Sequence, residues 1–500
     1  MNFVFFFIIL ASTHQKFFAN MINRTLPIVA LTILTFPFLL LAGHNRQNTI
    51  HTDPEIPKEG DHSQAVLFLS EYVQHESVSG NERNAGKFLK AFCKSKGLHV
   101  EVFTDEIDSY NFAASLYPLS ARKPNIILLS HIDVVPADDP SLWTYPPFSG
   151  TIADGKVWGR GSFDNKGVAT MQLFSILEFV EKASRKDLPY NVTLLSVSGE
   201  ETGGEKGAEV VVENFLDKLN PLVVYGGGGA GVTGISQAYS ELPFFGISVS
   251  QKRILWWQLK ADVPNPGHGS VPMDSYATFE VIRAAKAIKA HRPALHFSDQ
   301  TIEMLRTIGS HERGLRGFVL RNIGFFRYFV GNMLRQEPLV AALLTNTTNL
   351  TGLSSTPGAF NQVAPEAFAR FDSRLLPEIS NEQFLERIQK KVKDFKVEIE
   401  IIRQFPTSPA SETGTYYRAF EEAILRSFDE AVVSPIMFVA HNDNHYFRLK
   451  GVPTYGLVPV ILEEEILGSI HNVDERFPIA GLKKGIKVYA DLLQSLLTKK

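Results

Sequence analysis

From Ser63 onward the chain alternates between two hydrophobic patterns. "SQAVLFLSEYVQHE" and "NAGKFLKAFCKSKG" carry apolar residues at helical spacing, whereas "NIILLSHIDVV" and "NVTLLSVSGE" are short apolar runs bounded by turn residues, as buried strands are. Between the two strand-like runs, Val168, Met171, Phe174 and Leu177 recur at near-helical spacing, and Leu173, Ile176 and Val180 widen the stripe until the helix reads as largely buried. Strand and helix in alternation predict an α/β fold, an open mixed sheet with helices on both faces. Near Gly246 the texture changes. "ISVSQKRILWWQLKADV" reads as a strand, a helix follows at 277–291, and strand-like runs return at "AFARFDSRLL" and "KVEIEIIRQF". That is an α+β insertion. After Thr407, "YYRAFEEAILRSF" and "KKGIKVYADLLQSLL" restore the helical layer of the first unit. The expected organisation is a first part over 63–245, an insertion over 246–405 and a second part over 406–500.

Two apolar blocks precede this body, Phe3–Ala11 and Leu26–Ala42. The first is too short to span a bilayer; the second is at the lower limit. Met21-Ile-Asn-Arg24 before the second block resembles the start of an export signal, so translation from Met21 is as reasonable as from Met1. Residues 1–42 are therefore expected to be a signal peptide or a membrane anchor, with 43–62 a polar linker. The body is expected outside the cytoplasm, secreted, periplasmic or membrane-anchored.

Composition narrows the partners. A 500-residue chain with 44% hydrophobic and 21% charged residues is a folded protein of more than one core. The formal net charge of −3 and the lack of a long basic run give no footing for nucleic acid. One cysteine, Cys93, excludes an internal disulfide framework and a thiolate metal cluster. One segment stands apart: "RGLRGFVLRNIGFFRYFVGNMLRQ", Arg313 to Gln336, is rich in Phe, Leu and Arg and free of acid. It suits a membrane surface, the wall of a greasy channel, or packing helices with snorkelling arginines.

Three predicted strand ends concentrate metal-binding groups. In Ser130-His131-Ile132-Asp133, alternate residues share a face, so His131 and Asp133 project together, and a carboxylate can orient a ligating imidazole. A glycine-rich turn delivers Asp164 at a helix entry, and Glu200 and Glu201 stand at the next strand end before flexible glycines. Adjacent carboxylates repel unless a cation or a proton lies between them. All three fall where an open α/β sheet places ligands, outside the carboxyl ends of its strands. A fourth stretch, "VVYGGGGAG" at Val223–Gly231, imitates a dinucleotide fingerprint, but no amphipathic helix follows the glycines and the first acid, Glu241, comes early. It is better read as a strand end and turn at the metal site.

The blocks "SHIDVVPADDPSLWTYPPFSGTIADGKVWGRGSFDNKG", "SGEETGG", "GHGSVP", "NQVAPEAFARFDSRLLP" and "SIHNVDE" resemble the co-catalytic zinc metallopeptidases. These include carboxypeptidase S, the aminoacylases and the secreted N-fatty-acyl-amino-acid hydrolases. The resemblance implies two zinc ions bridged by Asp164, with Glu201 and His471 at one and His131 at the other. Asp133 would orient His131, and Glu200 would be the general base. It implies that His268 stabilises the oxyanion, often across a homodimer formed by the insertion as a lid, and that Asn361 and Arg374 lie near the substrate. Substrates would be small peptides or N-acyl amino acids.

The pattern departs from the family at two places. Aligning "PLVVY" puts Tyr225 and Gly226 where the family carries an acidic ligand of the second zinc, and a phenol with an ordinary pKa near 10 is a poor substitute. The second zinc site is expected to be weakened, filled from elsewhere or empty, which raises the alternative of a lapsed enzyme that only binds. Further on, Ala440-His-Asn-Asp443-Asn-His445 puts His445 where the family has arginine, and His441 or His445 offers a substitute ligand.

Overall fold

The computed structural model describes residues 63–182, 188–264, 267–290, 292–336 and 338–498; the expected leader and linker lie outside the described residues. No helix among the described residues is long and apolar enough to cross a membrane. In chain order the principal strands are β1 (His99–Asp105), β2 (Tyr110–Ser115), β3 (Asn125–His131), β4 (Asn191–Val197), β5 (Pro221–Val232), β6 (Phe244–Gln251), β7 (Arg253–Asp262), β8 (Thr347–Ser355), β9 (Glu366–Leu375), β10 (Glu398–Gln404), β11 (Val432–Phe438) and β12 (Thr454–Ile461). The helices begin with α1 (Ser63–Gln74), α2 (Arg83–Ser95), α3 (Lys166–Lys182) and α4 (Val210–Leu219). The insertion carries α5 (Ala277–Lys289), α6 (Asp299–Ser310), α7 (Gly314–Arg321), α8 (Ile323–Leu334), α9 (Pro338–Leu344) and α10 (Asn381–Val392). The last four are α11 (Thr415–Ser427), α12 (Asn444–Leu449), α13 (Glu464–Ser469) and α14 (Ile479–Thr498).

Eight strands form one mixed sheet in the order β1-β2-β4-β3-β5-β12-β6-β11. The central pairs β4–β3, β3–β5 and β5–β12 are parallel, and β1 and β2 add an antiparallel edge. Both faces are covered, which is why β3 and β4 read as unbroken apolar runs. Ile126 and Leu128 pack with α1, α3, α11 and α14 on one side. Ile127 and Leu129 pack with α4 and α12 on the other. The insertion forms its own antiparallel sheet, β8-β9-β7-β10, over a second core built with α5, α6 and α10, which also takes in Phe244, Val432 and Ile436 of the large sheet.

Two details differ from the pattern reading. The run through "ISVSQKRILWWQLKADV" is two strands in two sheets. The break is at Lys252, a buried residue whose Nζ donates to the Thr345 carbonyl at 2.7 Å. Because β6 and most of β7 are buried, hydrophobicity alone did not reveal the corner. The glycines after Tyr225 are also not a turn: β5 continues to Val232, pairing with β12 and then β6. Tyr225 lies in the core with the α11 and α14 side chains, and its hydroxyl donates to the Tyr416 carbonyl at 3.0 Å. It does not line the cavity that the metal-binding groups border.

The contact between α3 and α14 depends on a close approach at Gly485, where a β-carbon would lie 2.0 Å from Met171 Sδ. Gly485→Val is expected to overpack this crossing and cost about 1–3 kcal/mol. A chemical-denaturation midpoint checks it; an unchanged midpoint would mean that the helices are free to separate.

Candidate metal centre

The parallel register of β3 with β4 sets His131 beside Val197, so both strands open at the same edge of the sheet. His131 closes β3, Asp133 follows it, and Glu200 and Glu201 occupy a short helical turn after β4. Asp164 comes from the turn before α3, and His471 from the turn after α13, with a left-handed backbone at φ 58°. Topology thus brings together the six residues expected to carry the chemistry.

Asp164 stands at the middle. Its Oδ1 lies 3.1 Å from His131 Nε2 and its Oδ2 lies 3.4 Å from His471 Nε2. His471 Nε2 also lies 3.1 Å from Glu201 Oε1, and His131 Nε2 lies 4.0 Å from Glu200 Oε2. Two groups offer donor atoms within 4.8 Å of one another: His131 with Glu200 and Glu201, and Asp164 with Glu201 and His471. His131 Nδ1 lies 3.0 Å from the Asp133 carbonyl and 3.4 Å from its carboxylate, which turns Nε2 toward the centre.

Electrostatics agrees with a cation site. Burial pushes Glu200 well above the ordinary carboxylate range, and the charge of Glu201 adds to it. Burial likewise lifts Glu201 to about 7, despite its bond to His471. For Asp164, burial is outweighed by its hydrogen bonds to His131 and His471, and its pKa falls. His471 is lifted to about 11 by Asp164 and Glu201. The imidazoles therefore hold protons where a metal ion would supply the positive charge. The oxygen and nitrogen donor set fits zinc or a similar divalent ion.

Several residues that hold the centre were not singled out from sequence. The Asp133 carboxylate accepts hydrogen bonds from Ser79 Oγ at 2.8 Å and from the backbone N–H groups of Glu200 at 3.0 Å and Glu201 at 3.1 Å. It orients the acid pair as well as His131. Glu475 is buried and accepts from Arg160 at 2.7 Å and from the N–H groups of Gly161, Phe163 and Asp164 at 2.9–3.0 Å. Lys166 is buried and donates Nζ to the carbonyls of Tyr72 at 3.1 Å and His75 at 2.6 Å, anchoring the start of α3 to the end of α1. No local pattern could have found these bonds, because their partners stand far apart in the chain.

On β5, Gly227 and Gly228 line the cavity of the metal-binding groups, and Tyr225 and Gly226 do not. A β-carbon at Gly226 would lie 2.2 Å from Asn444 Oδ1, and Asn444 Nδ2 donates to the Gly227 carbonyl at 2.7 Å. A buried amide fills the space in which an acid at 226 would have to stand. His441 and His445 belong to neither convergent donor group, and burial lowers the pKa of both, of His445 to about 4. Asp443 lines the same cavity, and burial raises it to about 7.

The remaining expected residues separate. Arg374 lines this cavity of about 650 Å³, but Asp372 already holds its Nε and Nη2 at 2.9–3.1 Å. His268 and Asn361 meet each other, with Asn361 Nδ2 2.9 Å from His268 Nε2. Both are exposed on the insertion and neither lines the cavity of their own chain.

The profile of peptidase family M20/M25/M40 matches residues 127–495. "Probable carboxypeptidase S-like 2" of Dictyostelium discoideum is 26% identical over 397 residues, covering 78% of this chain and 75% of that protein. "N-fatty-acyl-amino acid synthase/hydrolase PM20D1" of Homo sapiens is 22% identical over 88% of this chain and 92% of its own length. Among solved structures, the M20 family metallo-carboxypeptidase Sso-CP2 of Sulfolobus solfataricus shares the fold with a TM-score of 0.65 at 20% identity, over 86% of this chain and 98% of that one. Human carnosine dipeptidase 1 does so at 0.62 and 16%, over 88% and 97%.

Removing one partner of the Glu475–Arg160 pair leaves a buried charge uncompensated. Glu475→Gln should cost about 3–5 kcal/mol and weaken metal binding through the loss of order at Asp164. Denaturation and metal titration of the same preparation read the two effects. A full-strength metal site in the variant would show that Glu475 supports the fold alone.

Proposed function

The chain belongs to peptidase family M20/M25/M40 and is a peptidase- or amidohydrolase-type enzyme; from that premise we propose that it hydrolyses, with zinc, an amide bond next to a free carboxylate. The observation that carries this reading is the division of Asp164, one oxygen toward His131 and the other toward His471, as in a carboxylate shared by two ions. His131, Asp164, Glu201 and His471 would hold the metal, which when bound would polarise a carbonyl and acidify water. Occupancy of the His131 side would be the weaker of the two, because β5 contributes no acid there. The retained donors and base favour an active enzyme over one that only binds.

Glu200 is the proposed general base. It borders the cavity beside His131, and its backbone is fixed by Asp133. It would take a proton from the attacking water and pass it to the leaving amine. Asp372 occupies Nε and Nη2 of Arg374, which orients the guanidinium and leaves Nη1 to meet a substrate carboxylate. Ile254, Trp256, Phe438, Leu467 and Ile470 give the cavity an apolar wall, which suits an acyl chain or an apolar side chain. Small peptides and N-acyl amino acids are the proposed substrates, and the space outside the cytoplasm the proposed location. The pair His268–Asn361 would reach the substrate of a second copy in a homodimer.

Glu200→Gln should lower turnover about 10²–10⁴-fold while metal content stays constant. Hydrolysis of a panel of dipeptides and N-acyl amino acids should also be lost with a chelator and restored by zinc. Turnover by the variant at the wild-type rate would remove Glu200 from the mechanism. Because metal must displace the protons held on His131 and His471, apparent affinity should rise with pH across the neutral range, with proton release seen by calorimetry in buffers of different ionisation enthalpy. A pH-independent affinity contradicts this. Mixing Glu200→Gln and His268→Ala subunits should restore about a quarter of wild-type activity under random pairing, if one copy supplies His268 to the other. No restoration would mean that each chain works alone.

A further inference from the structure

The segment from Arg313 to Gln336 folds as two short helices whose outer face is apolar. On α7, Leu315 is 77% exposed and Phe318 also faces solvent. On α8, Phe325, Tyr328 and Phe329 are 64%, 76% and 72% exposed, and Met333 continues the same stripe. The spacing of 325, 328, 329 and 333 is one face of a helix. The opposite face is also apolar, with Leu320, Ile323 and Leu334 buried in the core of the insertion. An ordinary surface helix turns a polar side to solvent; here large apolar side chains share the outer surface with Arg321, Asn322 and Asn332. Contiguous exposed aromatics of this kind mark a contact surface.

Charge identifies the occupant. The segment contains five arginines, at 313, 316, 321, 327 and 335, and no acid. The nearest acid before it, Glu312, is buried and held by Arg316 at 2.7 Å. Asp299 and Glu378 line a side cavity with Arg327 and Tyr328. A second copy of this chain would set the same arginines against themselves across a two-fold axis, which opposes self-association there. With 8 and 12 residues, α7 and α8 are too short to span a bilayer but suited to lie in its interface.

We propose that α7 and α8 dock this protein on the surface of a bilayer containing anionic phospholipid, with Leu315, Phe318, Phe325, Tyr328, Phe329 and Met333 inserted among the acyl chains and the exposed Arg313 and Arg321 and half-buried Arg327 at the headgroups. The contact is independent of the apolar block at Leu26–Ala42 and of the hydrolytic site. It would hold the insertion against the membrane from which an amphipathic substrate partitions.

The test uses the full chain and vesicles of phosphatidylcholine, with or without phosphatidylglycerol. Phe329→Trp places a reporter on the face. The emission it adds to that of the wild type should shift to the blue with phosphatidylglycerol vesicles, be quenched by brominated acyl chains, and weaken in high salt. A triple variant, Phe325→Ser with Tyr328→Ser and Phe329→Ser, should lose about tenfold or more in vesicle affinity at an unchanged thermal midpoint. Three results would overturn the proposal. One is an emission from the Phe329→Trp variant that is indifferent to both vesicles. Another is vesicle binding unaltered in the triple variant, which would assign all binding to the N-terminal block. The third is a blue shift that follows protein concentration without lipid, which would assign the face to a second copy.

Discussion

The centre of this protein depends on one buried carboxylate that does not line the cavity. Glu475 follows His471 by four residues and reaches into the Arg160–Asp164 turn, where it accepts one guanidinium and three backbone N–H groups. The loop that carries one histidine is thereby fastened to the loop that carries the shared carboxylate. An ionised group this deep is tolerated only when its lone pairs are satisfied, and here four donors satisfy them. The distance between Asp164 and His471 is a consequence of that bond network. Asp133 plays the matching part on the other side, joining His131 to the turn of Glu200 and Glu201.

The resulting site is short of positive charge. Glu200, Glu201 and Asp443 are all pushed upward by burial, while His131 and His471 keep protons because carboxylates surround them. Lys166, the nearest buried lysine in the motif, offers no relief: its ammonium is spent on the carbonyls at the end of α1, and burial lowers its pKa to about 7. A divalent cation is the simplest group that settles these terms together. The insertion also bears on the acid pair, since Arg403 of β10 donates to the carbonyls of Thr202 at 2.7 Å and Gly203 at 3.2 Å. The turn that aims Glu200 is therefore held from both the large sheet and the small one.

Strand β5 passes the metal centre without contributing an acid. Its glycines are not a nucleotide cradle, and they do not form a turn. They allow a central strand to run between neighbours that leave no room for side chains, with Asn444 pressed against Gly226 and the β12 backbone against Gly228. Asn442 and Asn444 both donate to the Gly227 carbonyl, so the segment after β11 is fastened to the β5 backbone beside the site.

Local residue order by itself determined the alternation of helix and strand, the insertion, and the strand-end loops with His131, Asp133, Asp164, Glu200 and Glu201. These signals are local: apolar period, turn glycines, and donor groups at the end of a run. The direction of Tyr225 was not legible, because a strand buried on both faces shows no alternation to assign its sides. Nor was the corner at Lys252, since β6 and β7 are both apolar on either side of it. Only the tertiary structure decided which distant groups complete the site. Glu475 meets Arg160 across 315 residues and Asn442 meets Gly227 across 215. It also separated Arg374, which reaches the cavity, from His268 and Asn361, which do not. Such contacts arise from how sheets and loops stack in space, and no periodicity along the chain records them.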